Sequence, residues 1–318
     1  MIKFWIFGVL LIKELLIPHQ IETQELDFPL LKEKGIRLSI KRLDQVHPLA
    51  SGNKFFKLKY NLIEAQRLGE SVLLTFGGAY SNHIFAVAAA AKKLGFASIG
   101  VIRGEEHQRL NPTLSFAASS GMHLHYINRT DYRRKNDEEI IQSLEKEFGD
   151  FYLIPEGGTN ELAIQGTKEI LNESTYEFSH IATSIGTGGT FAGLLDSIAP
   201  HQKLLGFSAL KGDFIFDEMT NLFSKFNIKH SWEYQIFNQF HFGGYGKTNR
   251  ELIDFIRWFY DQFQIPLDQV YTGKMMFGII ELIRKDHFPK GSHLLAIHTG
   301  GLQGIAGYNQ KYGTSLPL

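Results

Sequence analysis

Residues 184–193 read SIGTGGTFAG, and this stretch gives the clearest indication of the fold. It begins at the end of a β-branched, apolar run, HIATSI, and leads into a helix-forming segment, TFAGLLDSI. Glycines between a strand and a helix expose backbone N–H groups beside the helix N-terminus, where they can bind a phosphate. The spacing matches neither the P-loop nor the dinucleotide fingerprint, and a tight turn with positive φ at Gly188 or Gly189 is the alternative interpretation.

The sequence on both sides of this stretch repeats the alternation of strand and helix. From about residue 70, short apolar runs such as SVLLTFGG (71–78) are followed by helical stretches such as IFAVAAAAKKLG (84–95). This alternation predicts an α/β protein with parallel sheets covered on both faces. Ligands in such folds bind beyond the carboxyl ends of the strands. Here those ends carry glycine and hydroxyl residues, in GGAYSNH, EGGTN, GTGGT and HTGG.

The composition excludes several classes of function. The 318 residues include 43% hydrophobic and 21% charged residues, with Lys+Arg and Asp+Glu both at 33. A neutral chain without a basic block argues against nucleic acid as a partner. The sequence contains no cysteine, which excludes disulfides, thiolate catalysis and cysteine-ligated metal centres. His123 and His125 share one face of a strand, but no third ligand accompanies them, so no metal site is predicted.

The N-terminal apolar run, Phe4 to Ile12, needs a separate interpretation. A transmembrane helix needs about 20 apolar residues, so this run is too short to span a membrane. A signal peptide would require a small-residue cleavage site, and the residues that follow offer none. We therefore expect an N-terminal helix, no association with a membrane, and a cytoplasmic protein.

Two further motifs contain residues that can react with or bind a small molecule. Residues 51–57, SGNKFFK, include Lys54, and burial can lower the pKa of a lysine enough to make it a Schiff-base nucleophile. Alternatively, the lysines of this motif are solvated charges at the start of a helix. Residues 77–83, GGAYSNH, end a strand and open a helix, so Ser81 and Asn82 are also candidates for helix capping.

Taken together and in this order, the motifs resemble the pyridoxal-phosphate enzymes of the tryptophan synthase β-type fold (fold type II). More closely, they resemble the family of 1-aminocyclopropane-1-carboxylate (ACC) deaminase and D-cysteine desulfhydrase. The resemblance runs from about Leu38 to Tyr308 and rests on SGNKFFKLKY, FGGAYSNHIFAVAAAAKKLG, PEGGTN, SIGTGGTFAG, VYTGKMMFGIIELI and HTGG.

This resemblance implies pyridoxal 5'-phosphate as the cofactor, a small amino acid as the substrate, and a homodimer. It also implies two α/β domains, with the cofactor in the cleft between them. We expect residues 1–56 and 156–318 to form the large cofactor-binding domain, and residues 57–155 to form the small one.

The resemblance also assigns roles to residues at the substrate side of the site. Lys54 would be linked covalently to the cofactor and would transfer the Cα proton. Asn82 would hydrogen-bond the phenolic oxygen of the cofactor. Ser81 occupies the position of the proposed nucleophile or base, and it would also contact the substrate. His83 would bind the substrate carboxylate or lie behind the site.

Further roles concern the phosphate and two tyrosines. Tyr245 and Tyr271 match the two active-site tyrosines of the family, which can donate or accept a proton near the substrate Cα. The residues that would hold the cofactor phosphate are Thr187, Gly188, Gly189 and Thr190.

Two positions separate the branches of the family. The deaminase branch has Glu after the VY dipeptide, where it keeps the pyridine nitrogen protonated and makes the ring a strong electron sink, and Leu after the final His. This chain has Thr272 and Thr299 at these positions, and we expect both at the cofactor. A hydroxyl stabilises a carbanion less, which suits β-elimination with a departing hydrosulfide.

We therefore predict an enzyme that converts D-cysteine to pyruvate, ammonia and sulfide. The alternative within the family is ACC deaminase, which gives 2-oxobutanoate and ammonia. The alternative from another class is a non-catalytic module that binds a phosphate ligand. Phe55-Phe56 and Phe85-Ala86 stand where the family has arginines, so we expect an altered pocket charge. Such a change leaves D-serine, β-chloro-D-alanine or another small amino acid as candidate substrates.

Overall fold

The chain forms two twisted sheets, each covered by helices. The structure is a computed structural model, and it describes residues 18, 20–47, 50–106, 109–228 and 233–318. The helix expected around residues 4–12 lies outside these described residues. No helix in the described ranges is long and apolar enough to cross a bilayer.

The larger sheet carries the GTGGT and HTGG segments. Its strands are β1 (Thr23–Leu26), β2 (Arg37–Lys41), β7 (His180–Ile185), β8 (Lys203–Ser208), β9 (Tyr234–Phe237) and β10 (His293–Ile297). Their order in the sheet is β1-β2-β10-β7-β8-β9. Only the pairing of β1 with β2 is antiparallel among these strands. The central strands β10 and β7 therefore end side by side, which brings the two glycine-rich segments together.

The smaller sheet carries the GGAYSNH segment. Its strands are β3 (Val72–Gly77), β4 (Ala97–Arg103), β5 (Met122–Ile127) and β6 (Tyr152–Ile154). They are all parallel, in the order β5-β4-β3-β6. The side chains of β3 and β4 are almost entirely buried, as expected for parallel strands covered on both faces.

Helices connect the strands and cover both sheets. They are α1 (Pro29–Lys34), α2 (Asn53–Leu68), α3 (Asn82–Leu94), α4 (Pro112–Ser119), α5 (Arg129–Arg133), α6 (Glu138–Phe148), α7 (Glu161–Lys168), α8 (Gly189–Leu195), α9 (Phe214–Lys225), α10 (Arg250–Phe263), α11 (Thr272–Arg284) and α12 (Gln303–Tyr312). The prediction of an α/β fold with parallel sheets is confirmed. The antiparallel edge strand β1 was not part of that prediction.

Helix α2 passes from one hydrophobic core to the other. Phe55 and Phe56 pack in the core of the larger sheet, whereas Leu58 and Leu62 pack in the core of the smaller sheet. The division into domains between residues 56 and 57 stays a prediction. The side chains of α2 change from one hydrophobic core to the other at the same position. A residue at the start of α2 therefore lies between the two sheets.

Gly52 fixes the start of α2 against the end of β10. Its φ is +69°, and a Cβ at this position would lie 2.0 Å from the carbonyl oxygen of Thr299. Only glycine permits both this backbone conformation and this close approach. The contact holds the SGNK and HTGG segments together, although they are far apart in the sequence.

Candidate active site

A cavity of about 500 Å³ lies between the carboxyl ends of the two sheets. Most of the residues singled out in the sequence line it. These are Lys54, Ser81, Asn82, His83, Thr187, Gly188, Thr190, Tyr245, Tyr271 and Thr299. The structure thus brings together residues from six separate segments of the sequence.

Lys54 is the second residue of α2 and faces this cavity. Removal from solvent lowers the pKa of its amine from 10.5 to about 8. The nearest acceptor is the carbonyl oxygen of Gly157, 3.4 Å from Nζ. At pH values near and above 8 the amine is therefore substantially neutral, which is the form that attacks a carbonyl.

Lys57 was not among the predicted site residues, yet it also faces the cavity. It is 2% exposed, and its Nζ donates to the Gly157 carbonyl (2.9 Å), Thr159 Oγ1 (3.0 Å) and Thr187 Oγ1 (3.3 Å). Burial and the charge of Lys54 lower its pKa well below 10.5. Its spacing of three residues from Lys54 could have indicated a place at the cavity, because residues at i and i+3 share one face of a helix.

The GTGGT segment forms the tight turn considered in the sequence, and its role in holding a phosphate stays a prediction. Gly188 has φ +79°, which is the positive φ of the turn interpretation. A Cβ at Gly189 would lie 3.1 Å from Lys57 Nζ and 2.9 Å from Thr159 Oγ1, so only glycine leaves space there. Thr190 Oγ1 accepts a hydrogen bond from Asn53 Nδ2 (2.8 Å). Hydroxyls, exposed backbone and an amine are the groups that hold a phosphate in proteins.

Ser81 serves as the N-cap of α3 while it lines the cavity. Its Oγ accepts hydrogen bonds from the backbone N–H groups of His83 (3.2 Å) and Ile84 (3.3 Å). The capping interpretation is therefore correct for Ser81. Asn82 lies close to the loop after β10, because a Cβ at Gly301 would come within 2.9 Å of Asn82 Nδ2.

His83 is buried and neutral. The Thr75 hydroxyl donates to the Ile154 carbonyl (2.8 Å), so His83 Nε2, 2.8 Å from the same hydroxyl, carries a proton and donates to it. His83 Nδ1 is buried and has no hydrogen-bond partner. Burial, with the charges of Lys54 and Lys57, lowers the pKa of His83 well below 6.5. His83 lines the cavity, but its one N–H donates to Thr75, so it offers no free proton to a carboxylate, and its role stays a prediction.

Tyr245 and Tyr271 form a pair that lines the cavity. Their ring centroids are 6.0 Å apart in an edge-to-face arrangement. Burial raises the pKa of Tyr245 and raises that of Tyr271 well above 10, and a hydrogen bond joins the two side chains. Both phenols therefore keep their protons at neutral pH and can act as donors.

Two predicted cofactor contacts, Gly189 and Thr272, do not line the cavity, and the side chain of Thr272 turns away from it. Thr272 is fully buried, and its hydroxyl donates to Asp268 Oδ1 (2.7 Å) and accepts from the Asp268 backbone N–H (2.9 Å). These bonds close the first turn of α11 and use the one proton of the hydroxyl. Thr299 does line the cavity, and its Oγ1 lies 3.2 Å from Ser184 Oγ, a lining residue that the sequence analysis did not select.

The positions where the family has arginines do not line the cavity. Phe55 and Phe56 are in the core of the larger sheet, Phe85 stacks on Phe116 with centroids 3.8 Å apart, and Ala86 is buried. The expectation that these substitutions change the pocket charge is therefore wrong. The charged residues that line the cavity are Lys54, Lys57, Arg103 and Glu156.

These features define a pyridoxal-phosphate enzyme of fold type II. The Lys54 amine, whose pKa is lowered, fits the aldehyde of this cofactor. The GTGGT loop beside Lys57 fits its phosphate, and the hydroxyls of Ser184 and Thr299 fit its ring. The family described as "Pyridoxal-phosphate dependent enzyme" matches residues 18–300. The chain belongs to this family, and within it to the group of ACC deaminase and D-cysteine desulfhydrase.

Relatives and a solved structure support this assignment. A "Putative 1-aminocyclopropane-1-carboxylate deaminase" of Pyrococcus horikoshii is 32% identical over 308 residues, which cover 93% of this chain and 94% of the relative. A bifunctional D-cysteine desulfhydrase/ACC deaminase of Arabidopsis thaliana is 31% identical over 85% of this chain and 74% of its own length. The crystal structure of an ACC deaminase homologue superimposes with a TM-score of 0.80 at 31% identity, covering 93% of this chain and 94% of that structure. The protein is thus a lyase that uses pyridoxal phosphate to deaminate an amino acid.

Proposed function

We propose that the protein catalyses β-elimination from D-cysteine, which gives pyruvate, ammonia and sulfide. The observation that carries this proposal is the hydroxyl pair of Ser184 and Thr299 at the end of β7 and β10. The carboxylate that lines the cavity, Glu156, instead accepts from the Tyr132 hydroxyl (2.7 Å) and pairs with Lys135 (3.2 Å).

Neutral hydroxyls favour one reaction class over the other. Bound pyridoxal phosphate supplies an electrophilic carbon for the substrate amine and a ring that withdraws electrons from Cα. A hydroxyl that held the ring nitrogen would stabilise a positive charge there less than a carboxylate does, so the electron-withdrawing effect would be moderate. Loss of a thiolate from Cβ needs only moderate help, because the sulfur takes the electron pair of the breaking bond. Opening a cyclopropane releases no such leaving group, so that reaction needs stronger electron withdrawal by the ring.

The lining residues can divide the proton transfers between two faces of the substrate. Lys54, with its pKa lowered to about 8, can take the Cα proton as a neutral amine. Tyr271 and Tyr245 keep their protons and can donate toward the departing sulfur. Ser81 Oγ is committed to the N-terminus of α3, so we propose that it orients the substrate and does not act as the nucleophile.

The decisive experiment compares three substrates on the purified holoenzyme. Pyruvate and sulfide are measured with D-cysteine and L-cysteine, and 2-oxobutanoate is measured with ACC. We expect product from D-cysteine in at least tenfold excess over the other two, and loss of activity in Lys54→Ala. Faster turnover of ACC would assign the chain to the deaminase branch and refute the argument from Ser184 and Thr299.

The assembly is a separate proposal. The resemblance implies a homodimer, and light scattering of the holoenzyme should give about twice the chain mass of 36.1 kDa. A mass equal to one chain would refute it.

A further inference from the structure

Asn61 is a buried amide in the interior of α2, the helix that carries Lys54 and Lys57. It is 0% exposed, and its neighbours Leu58 and Leu62 pack in the core of the smaller sheet. Asparagine forms helices poorly because its side chain competes for backbone hydrogen bonds, and a buried amide costs free energy unless it is bonded. A leucine would fill a similar volume without either cost. The amide at this position therefore needs a reason other than packing.

Asn61 forms a reciprocal pair with Asn160. Asn160 Nδ2 donates to Asn61 Oδ1 (2.7 Å), and Asn61 Nδ2 donates to Asn160 Oδ1 (3.2 Å). Asn61 Nδ2 also donates to the Lys57 carbonyl (2.8 Å), and the Tyr152 hydroxyl donates to Asn61 Oδ1 (3.3 Å). Asn160 Oδ1 accepts from the Ala163 N–H (2.9 Å), which makes Asn160 the N-cap of α7. Every polar atom of the two amides thus has a partner, so their relative position is fixed.

The pair closes a ring of contacts around Lys57. Its backbone carbonyl is bonded by Asn61. Its Nζ donates to the Gly157 carbonyl (2.9 Å) and to Thr159 Oγ1 (3.0 Å), and both acceptors belong to the EGGTN loop that ends at Asn160. One loop is therefore held against Lys57 at the backbone and at the amine. A shift of α2 along this loop would break hydrogen bonds at both places.

The amide pair lies where apolar packing passes from one core to the other. Leu62, beside Asn61, packs in the core of the smaller sheet, whereas Ile164 of α7 packs in the core of the larger sheet. Apolar contacts are non-directional and tolerate a small shift of one helix over another. A fully bonded pair of amides has one geometry. The pair therefore fixes the register of α2 against the EGGTN loop, which the apolar contacts alone leave adjustable.

We propose that Asn61 and Asn160 are positioning residues that hold the Lys57 amine in place for the phosphate of the cofactor. Lys57 Nζ also lies 3.3 Å from Thr187 Oγ1 of the GTGGT loop, where we expect that phosphate. Neither asparagine lines the cavity, so both act through Lys57. The inference rests on the assignment of the phosphate to Lys57, and it holds for any amino-acid substrate.

The test measures how strongly the apoprotein prefers pyridoxine 5'-phosphate to pyridoxine. Both ligands carry an alcohol in place of the aldehyde, so they cannot react with Lys54, and equilibrium dialysis gives the ratio of their dissociation constants. Asn160→Asp keeps the oxygen that caps α7 but sets a second oxygen against Asn61 Oδ1. The Asn61 amide relieves this repulsion only by turning over, which releases the Lys57 carbonyl.

A second variant, Asn61→Leu, removes the amide without adding a charge. In both variants we expect the preference for the phosphate ligand to fall about 3- to 10-fold, the range for one lost neutral hydrogen bond. Asn249→Asp is the matched control, because Asn249 caps α10 by accepting from the Leu252 N–H (3.0 Å) and does not line the cavity. It should keep the full preference.

The background of Lys57→Met separates positioning from other effects. Lys57→Met should lose most of the preference, and adding Asn160→Asp should lower it no further, because the pair acts through the missing amine. A carboxylate that merely repelled the phosphate would lower the preference in this background as well, and that result would contradict the inference.

Three other results bear on the inference. If the asparagine variants keep the preference that Lys57→Met loses, the inference alone is wrong. Equal weakening of both ligands in these variants would leave the pair a purely structural role and overturn the inference. If Lys57→Met keeps the preference, the phosphate binds elsewhere and the inference falls with that assignment. Absence of pyruvate from D-cysteine would count against the proposed function only, because this test contains no substrate.

Discussion

Lys57 Nζ lies 3.3 Å from Thr187 Oγ1, which joins the second lysine of α2 to the GTGGT loop. The same amine donates to Thr159 and to the Gly157 carbonyl, so three segments converge on it. Burial makes its positive charge costly in the free protein, and a bound dianion would remove that cost. We therefore propose that Lys57 holds the cofactor phosphate as much as the glycines do.

Replacing Lys57 should weaken cofactor binding. In Lys57→Met we expect the dissociation constant of pyridoxal phosphate to rise about 10- to 100-fold, because a charge-assisted bond to the phosphate is lost. Equilibrium dialysis of the apoprotein measures this constant directly. Lys59→Met is the control, because Lys59 is paired with Glu169 away from the cavity and its removal should leave the constant unchanged. An unchanged constant in Lys57→Met would place the phosphate elsewhere.

The lowered pKa of Lys54 predicts a pH dependence of cofactor capture. Below pH 8 the amine is mostly protonated and cannot attack the aldehyde, whereas above pH 8 it is mostly neutral. The rate at which apoprotein forms its covalent link with pyridoxal phosphate should therefore rise up to about pH 8 and then level off. Stopped-flow absorbance follows this rate, and borohydride fixes the product for mass analysis. A rate that continues to rise toward pH 10 would mean that Lys54 has the pKa of an exposed lysine.

The sequence predicted the segments of the site better than the individual contacts. Strand ends with glycine and hydroxyl residues meet at the edges of parallel sheets, so GGAYSNH, GTGGT and HTGG could be placed from topology, whereas SGNK was placed at the site only through the family resemblance. Lys57 was missed because a lysine in a helix is usually solvated, and its burial depends on Thr159 and Thr187, which are distant in the sequence. Arg103 was missed for a similar reason, because it ends a strand that carries no recognisable motif.

Thr272, in contrast, was selected as a site residue although it does not line the cavity. Its place after Tyr271 indicated a cofactor contact, but the side chain begins a helix and bonds to Asp268, four residues earlier. The spacing in the sequence does not tell which way a hydroxyl turns at a helix start. The arginine positions were misjudged in the same way, since Phe55 and Phe56 lie beside Lys54 in the sequence but point into the core.

Valine substitutions at the two threonines should therefore have different effects. Thr299→Val removes a cavity hydroxyl, so we expect a shifted absorbance maximum of the bound cofactor and lower kcat with little loss of stability. Thr272→Val leaves Asp268 without two of its hydrogen bonds and should lower the free energy of unfolding by about 1–3 kcal/mol, with the absorbance maximum unchanged. Urea unfolding and visible spectra of both variants separate the effects. The reverse pattern would restore Thr272 as the cofactor contact.

Lys274 is expected to act on catalysis through Tyr245. It is 2% exposed, and its Nζ donates to the carbonyl of Gly244 (2.8 Å), the residue before Tyr245. Lys274→Met removes one of two donors to this buried carbonyl, which also accepts from the Lys247 N–H (3.1 Å), so kcat should fall and stability should fall modestly. Tyr245→Phe removes only the hydroxyl and keeps the ring, so kcat should fall while stability changes little.

The double variant tests whether the two residues act in series. If Lys274 serves only to position the tyrosine, Lys274→Met combined with Tyr245→Phe should have the kcat of Tyr245→Phe alone, although its stability is lower. Steady-state rates and melting temperatures of the four proteins complete the cycle. Effects on kcat that multiply would mean that Lys274 supports the reaction by another route, such as its electrostatic interaction with Asp268 at the start of α11.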